Sequence, residues 1–523
     1  MAESPNTIQT NARLIRRAAV LLMVSILLSR IVGFFREWIL ARTVGASGQT
    51  DVYYASFTIP DFLNYMMAAG ALSISFIPVV NDLKVKGQEA VARELFRAIA
   101  TIFGGWLIFF IFVAEVWAPQ LSQLIAPGFN PQQIEMLTQL LRIILPAQIF
   151  FYWGGLATSV QHVNGHFWWS ALSPILYNLF IIVFGVAFHE SLGVAAFSWG
   201  VLAGSVVGNG ILLGYGAYRC GYTFTPILRL STDVRAGFKR YLWLSLPIML
   251  GFSLVVTDEW ITKYLASSLE PKLLSWLSYA RTELRIPVAI IGQAAGIASF
   301  PFLAQLWSEK RFLDYGRTLI LEAQKLWALA TVCAVILYFE ARPITEFIYG
   351  GGKLQRVDIE GIAQALVVYS IGMFFWTAQV LIARAFYASQ RTWLPSIIGT
   401  LLSVMGFPVY LILMNQYSYV GLAMAGTLGI AAYTLILWGF LMAHFRRSCP
   451  ELRMGELYRF CLAWFFVLAV VWGIGKGVGS LGIYRQTQLS ALYEIVLFST
   501  LALGVAYILQ RTLYRKLTAS PLF

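Results

Sequence analysis

Charge is what this sequence has least of. Only 12% of its 523 residues are Asp, Glu, Lys or Arg, about half the share found in soluble domains. That shortage excludes a water-soluble chain of this length. Cysteine is scarce as well. Cys220, Cys333, Cys449 and Cys461 lie far apart with no C-x-x-C, which excludes a disulfide framework and a zinc knuckle. The four histidines form no ligand-spaced pair, so neither a metal nor a cofactor is expected. No polar stretch is long enough to fold as a separate soluble domain, and no Ser-His-Asp set or P-loop is visible. Gly477-Val-Gly-Ser-Leu-Gly482 has the spelling of a dinucleotide loop, but it joins two apolar runs where that fingerprint needs a strand-to-helix turn.

What the sequence has in abundance is apolar length. Hydrophobic residues make up 59% of it, and runs long enough to cross a hydrocarbon layer about 30 Å thick recur along nearly the whole chain. The first run, from about Ala18, contains Arg30 and Arg36 and has no A-x-A-like exit, so it reads as a retained helix. Runs bounded by charge, Gly and Pro predict an all-α integral membrane protein of about fourteen transmembrane helices. Six fall at 14–42, 51–80, 95–118, 133–159, 167–189 and 192–218. Six more fall at 236–266, 272–307, 318–347, 360–388, 392–414 and 418–445, and a last pair at 456–478 and 488–512. The expected organisation is an N-terminal lobe over 1–222, a C-terminal lobe over 223–447, and two additional helices within 448–523.

The net charge of +13 sits mainly in short connections, not on a foldable basic domain, which argues against nucleic acid. Alternate connections are rich in cations, among them Arg13, Arg16, Lys84, Arg97, Lys239 and Arg447. The others hold only Arg42, Lys272, Arg342, Lys353, Arg356, Lys476 and Arg485. The bias is about threefold and places both termini in the cytoplasm.

The second and eighth helices repeat a pattern. Tyr54 to Pro60 is followed by Gly70 to Pro78, and Tyr279 to Pro287 by Gly292 to Pro301. Six helices separate the two, an even number, which predicts a parallel pseudo-repeat of two six-helix lobes with a site between them.

Ionisable groups inside apolar helices cost at least about 2.5 kcal/mol each at mid-bilayer, so each needs water or a partner. The first helix carries Arg30, Arg36 and Glu37. The second carries Asp51 and Asp61, with Asn64 a turn further on. The seventh carries Asp258, Glu259 and Lys263, and the eighth Arg281, Glu283 and Arg285. Arg30 and Glu37 are seven apart and share a face. Glu259 and Lys263 are four apart in the order that favours an intrahelical pair. Arg281 and Arg285, also four apart, are expected to project together, their planar forks suited to phosphate oxygens. Arg36 and Asp51 lie near helix ends, where snorkelling to the interface is an equal explanation. A cavity with excess positive charge suits an anionic diphosphate.

Ser29-Arg30-Ile-Val-Gly33-Phe34-Phe-Arg36-Glu37, Gly45 to Asp51, Leu265 to Ser268 and Ser278-Tyr279-Ala280 resemble the MurJ/MviN family of the multidrug/oligosaccharidyl-lipid/polysaccharide exporter superfamily. The resemblance implies a flippase of the bacterial inner membrane that moves lipid II, the undecaprenyl-diphosphate-linked peptidoglycan precursor, by alternating access. The two additional helices would form a groove for the lipid tail. It implies that Arg30, Arg36 and Asp51 belong to the substrate cavity. Asn64 stands where the family has an arginine, and so does Thr282, with Arg281 and Arg285 beside it. Pro395 to Met414 lacks the Asn or Asp of the family's sodium site, which points to membrane-potential or proton coupling. Cell-wall or polysaccharide synthesis enzymes are the implied protein partners.

The rearranged arginines leave open an exopolysaccharide or O-antigen precursor in place of lipid II. A drug exporter would have an acidic, aromatic cavity, and a membrane glycan transferase a large catalytic outside loop. The connections around 119–132 and 341–360 are short and lack such groups, so no enzyme is expected.

Overall fold

The computed structural model describes residues 5–67, 71–227, 229–250, 254–293, 302–389, 391 and 393–448, and every regular element among them is helical. The expected helices at 456–478 and 488–512, the Gly477 run, Gly70 and Pro301 lie outside the described residues. Among the described residues, seven segments are long and apolar enough to cross a membrane, from Glu89–Val116 to Trp393–Ala443. The chain divides into two compact units, Met1–Gly251 and Phe252–Phe523.

The first unit starts with α1 (Pro5–Thr43). Gly45, at φ 78°, stops that helix, a backbone conformation glycine adopts without penalty. Within the expected helix 51–80 the described residues form α2 (Gly48–Ser56), α3 (Thr58–Met67) and α4 (Ala71–Val85), with a turn at Phe57 between the first two. Ser47 caps α2 by accepting from the Thr50 N–H, and Pro60 lies in the first turn of α3, where its missing N–H leaves no bond unmade. The long α5 (Glu89–Val116) is followed by α6 (Ala118–Ile125), α7 (Pro131–Ile144), α8 (Ala147–Val163) and α9 (Trp168–Leu192). Then come α10 (Ala195–Gly204), a π-helical stretch over Ser205–Leu212, α11 (Leu213–Arg219) and α12 (Thr232–Leu250). Within this unit α12 packs on α4 and α5.

Glycine spacing sets the closest helix approach in this unit. A Cβ on Gly200 would lie 2.6 Å from the Ile181 Cα, one on Gly204 2.7 Å from the Tyr177 carbonyl oxygen, and one on Gly208 3.0 Å from that of Ser173. The Gly204–Gly208 pair read as a packing face is therefore part of a longer stripe holding α9 against its neighbour.

The second unit contains α13 (Leu254–Ala266) and α14 (Leu273–Val288), which runs past Pro287 into a π-helical turn over Ala289–Gln293. It continues with α15 (Phe312–Phe339), α16 (Ala341–Tyr349), α17 (Arg356–Ala388) and α18 (Trp393–Ser448). The last is two helices joined at Ser418, whose φ of 54° is not helical.

The units repeat one local plan. In each, a long apolar helix (α5, α15) is followed at once by a short amphipathic one (α6, α16) and a connection. A long helix with a capping box then follows, Asn130 with Gln133 in one case and Gln355 with Asp358 in the other. The segments read as outside connections thus contain buried helix: Ser122 and Thr345 are fully enclosed.

Candidate functional site

In the first unit an ion pair lies on α1. Arg36 Nη1 donates to Asn178 Oδ1 of α9 at 3.1 Å, and its Nη2 lies 2.5 Å from Glu37 Oε1. Tyr54 of α2 donates its hydroxyl to Glu37 Oε2 at 2.7 Å, so both carboxylate oxygens have a donor. Gly33, one turn before Arg36, keeps space beside Asn178: a Cβ there would be 3.7 Å from its Oδ1. Arg30 shares a stripe with Glu37 but not its surroundings, being exposed where Glu37 is buried. Asp51 is buried in the first turn of α2, where the helix dipole favours a carboxylate. Asp61 and Asn64 are half-buried on α3.

In the second unit the charges pair between α13 and α14. Arg281 Nη2 lies 3.0 Å from Asp258 Oδ2, with both side chains under a tenth exposed. The same nitrogen donates to the Tyr369 hydroxyl at 3.1 Å and lies 3.4 Å from Thr262 Oγ1, while the Tyr369 ring is 5.4 Å from the guanidinium carbon. Tyr410 of α18 donates its hydroxyl to Asp258 Oδ1. A buried pair sealed by so many partners is a fastening between helices, since removing either charge strands the other in an apolar medium.

Arg285 departs from the expected common projection. It is half-exposed and pairs with Glu259, the neighbour of Asp258, while Lys263 Nζ lies 3.3 Å from the other oxygen of that carboxylate. The predicted Glu259–Lys263 pair is present, but as one of two ion pairs made by the same carboxylate. Thr282 donates to its own helix at the Ser278 carbonyl (3.0 Å). Glu283 is buried and accepts from Thr345 Oγ1 of α16 at 3.1 Å; its Oε1 has no hydrogen-bond partner.

Sequence reasoning missed the neutral members of these clusters: Tyr54, Asn178, Tyr369 and Tyr410. Asn178 carried a signal, as an amide within the apolar run Leu176-Tyr-Asn-Leu-Phe180. Tyrosines in membrane helices are too common to have stood out.

A family model described as lipid II flippase MurJ matches residues 40–486. The lipid II flippase MurJ of Burkholderia cenocepacia is 29% identical over 372 residues, which cover 70% of this chain and 71% of that protein. A lipid II flippase MurJ solved in an inward closed conformation superposes with a TM-score of 0.76 at 19% identity, covering 95% of this chain and 100% of that one. An inward-facing multidrug resistance MATE family transporter of the MOP superfamily follows at a TM-score of 0.66 and 14% identity, covering 82% of this chain and 99% of its own. Such low identities carry fold alone. The family match is what runs through both units, and by it this chain belongs to the lipid II flippase MurJ family.

Proposed function

We propose that this chain flips lipid II, an undecaprenyl-diphosphate-linked glycan precursor used in peptidoglycan biosynthesis, across the membrane its apolar helices span. It is a multi-pass membrane transporter and not an enzyme. The family match over residues 40–486 carries this reading. The geometry supports it through accessible cations. Arg30 and Arg285 are exposed and Arg36 is partly so. An exposed arginine within an apolar helix is costly against lipid tails, so these three face water-filled space. Their guanidinium forks are suited to phosphate oxygens of the carrier, and Asp51 and Asn64 belong to the same proposed set of substrate residues.

The finer features belong to the same proposal. Two six-helix lobes, 1–222 and 223–447, alternate access. Residues 448–523 add two helices to make about fourteen. Both termini are cytoplasmic, in the bacterial inner membrane, and the enzymes that make and polymerise the precursor are the partners.

The test is expression in a bacterium whose own lipid II flippase can be depleted, with membrane insertion confirmed. Survival on depletion is the expected result. Lysis with the protein present and folded would remove lipid II and leave an exopolysaccharide precursor as substrate.

A further inference from the structure

Arg281 and Arg285 are one helical turn apart on α14, yet the structure gives them opposite circumstances. Arg281 is enclosed by Asp258, Tyr369 and Thr262 and is 7% exposed. Arg285 is 51% exposed at its side chain and, among the described residues, pairs with Glu259. Glu259 in turn has a second partner, the nearly enclosed Lys263 at 3.3 Å. Two cations therefore share one carboxylate in a graded order of exposure: Lys263 inside, Glu259 between, Arg285 outermost.

We infer that Glu259 is a built-in stand-in for the substrate's phosphate, which it yields at Arg285 by falling back on Lys263. An arriving diphosphate takes the guanidinium of Arg285, and the displaced carboxylate keeps its bond to Lys263. Neither the carboxylate nor the ammonium is then left bare in a low-dielectric surround, where an uncompensated charge is costly. Arg281 stands apart from this exchange, because its pair with Asp258 is enclosed, with both side chains under a tenth exposed. Lys263 is thus a positioning residue that never touches the lipid, and Arg285 is the diphosphate ligand of the second unit. Glu259 also keeps the site from holding its cargo too well. With the carboxylate waiting beside it, Arg285 has a partner to return to when the headgroup leaves. This inference rests on the proposed flipping of an undecaprenyl-diphosphate lipid.

The test is binding of undecaprenyl diphosphate to the purified full-length protein in detergent, with thermal unfolding followed in parallel. Arg285→Gln is expected to weaken binding at least about tenfold with unchanged unfolding, as loss of a charged hydrogen bond does. Arg285→Lys, which keeps the charge and loses the fork, is expected to fall between. Glu259→Gln is expected to tighten binding, and a gain of affinity cannot come from misfolding. Lys263→Met is expected to weaken it, because Glu259 then clings to Arg285. The double change Lys263→Met with Glu259→Gln should restore it, a coupling that separates positioning from direct contact. Inorganic pyrophosphate should compete with the lipid in the unaltered protein and not in Arg285→Gln, which places the contact on the headgroup.

Unchanged affinity in Arg285→Gln, or no recovery in the double variant, overturns the handover. Failure of the unaltered protein to bind undecaprenyl diphosphate at all overturns the flipping of that lipid as well, so the two failures are told apart.

Discussion

The two units solve the problem of charge in a membrane helix differently. In the first, Arg36 and Glu37 are consecutive on one helix and are completed by neutral groups, Asn178 and Tyr54. In the second, consecutive carboxylates on α13, Asp258 and Glu259, are answered by cations from α13 and α14. One cluster is a local pair dressed by its neighbours, while the other is a crosslink between helices. A local pair keeps its partner when helices shift, because both members ride on the same backbone. A crosslink holds two helices in register and must be broken or exchanged for them to part. The second unit contains both a sealed crosslink at Arg281 and an exchangeable one at Arg285.

The sharpest way to break this contrast is Arg281→Ala. It strands Asp258 and should cost about 3–5 kcal/mol, read as lost membrane abundance and early thermal unfolding. Normal abundance with lost transport would instead make Arg281 a substrate ligand. Next in size is Gly426→Ala. A Cβ there would stand 2.6 Å from Asp258 Oδ1, an atom already held by Tyr410, so one of the bonds must give. A loss of about 1–3 kcal/mol is expected in the unfolding midpoint. Tyr54→Phe removes one donor from Glu37 and leaves Arg36 in place. About 1 kcal/mol is expected, with flipping in proteoliposomes largely retained. The smallest effect belongs to Gly33→Ala, whose Cβ meets Asn178 at an ordinary 3.7 Å. Stability within about 0.5 kcal/mol of the parent is expected. If it proved as damaging as Gly426→Ala, the first cluster would be as tightly locked as the second.

Hydropathy made the membrane class and most long helices legible, because a lipid-facing helix must be apolar over its whole span. It could not see interruptions. The run 51–80 stays apolar through the break at Phe57. The short helix α6 was hidden inside a connection and most of α16 was merged into the expected helix 318–347, although Pro119 and Pro343 near their starts were a clue. Candidate residues could be found from the cost of burying charge, and the three charged clusters are drawn from that set. Their partners could not. Nothing in their own helix separates Arg281 from Arg285, and the groups that seal the former include Tyr369 and, through Asp258, Tyr410, some 88 and 129 positions further along the chain.

The corner at Ser418 has a mechanical meaning. Its φ of 54° and ψ of −135° turn the chain back within a few residues. Gly421 passes so close that an added Cβ would sit 1.9 Å from the Leu413 carbonyl oxygen. Further from the corner, Tyr433 donates its hydroxyl to the Pro395 carbonyl at 3.1 Å. A joint with no slack at its elbow and a tie along its arms transmits torque without bending. The two arms are thereby held to one another as a single stiff piece.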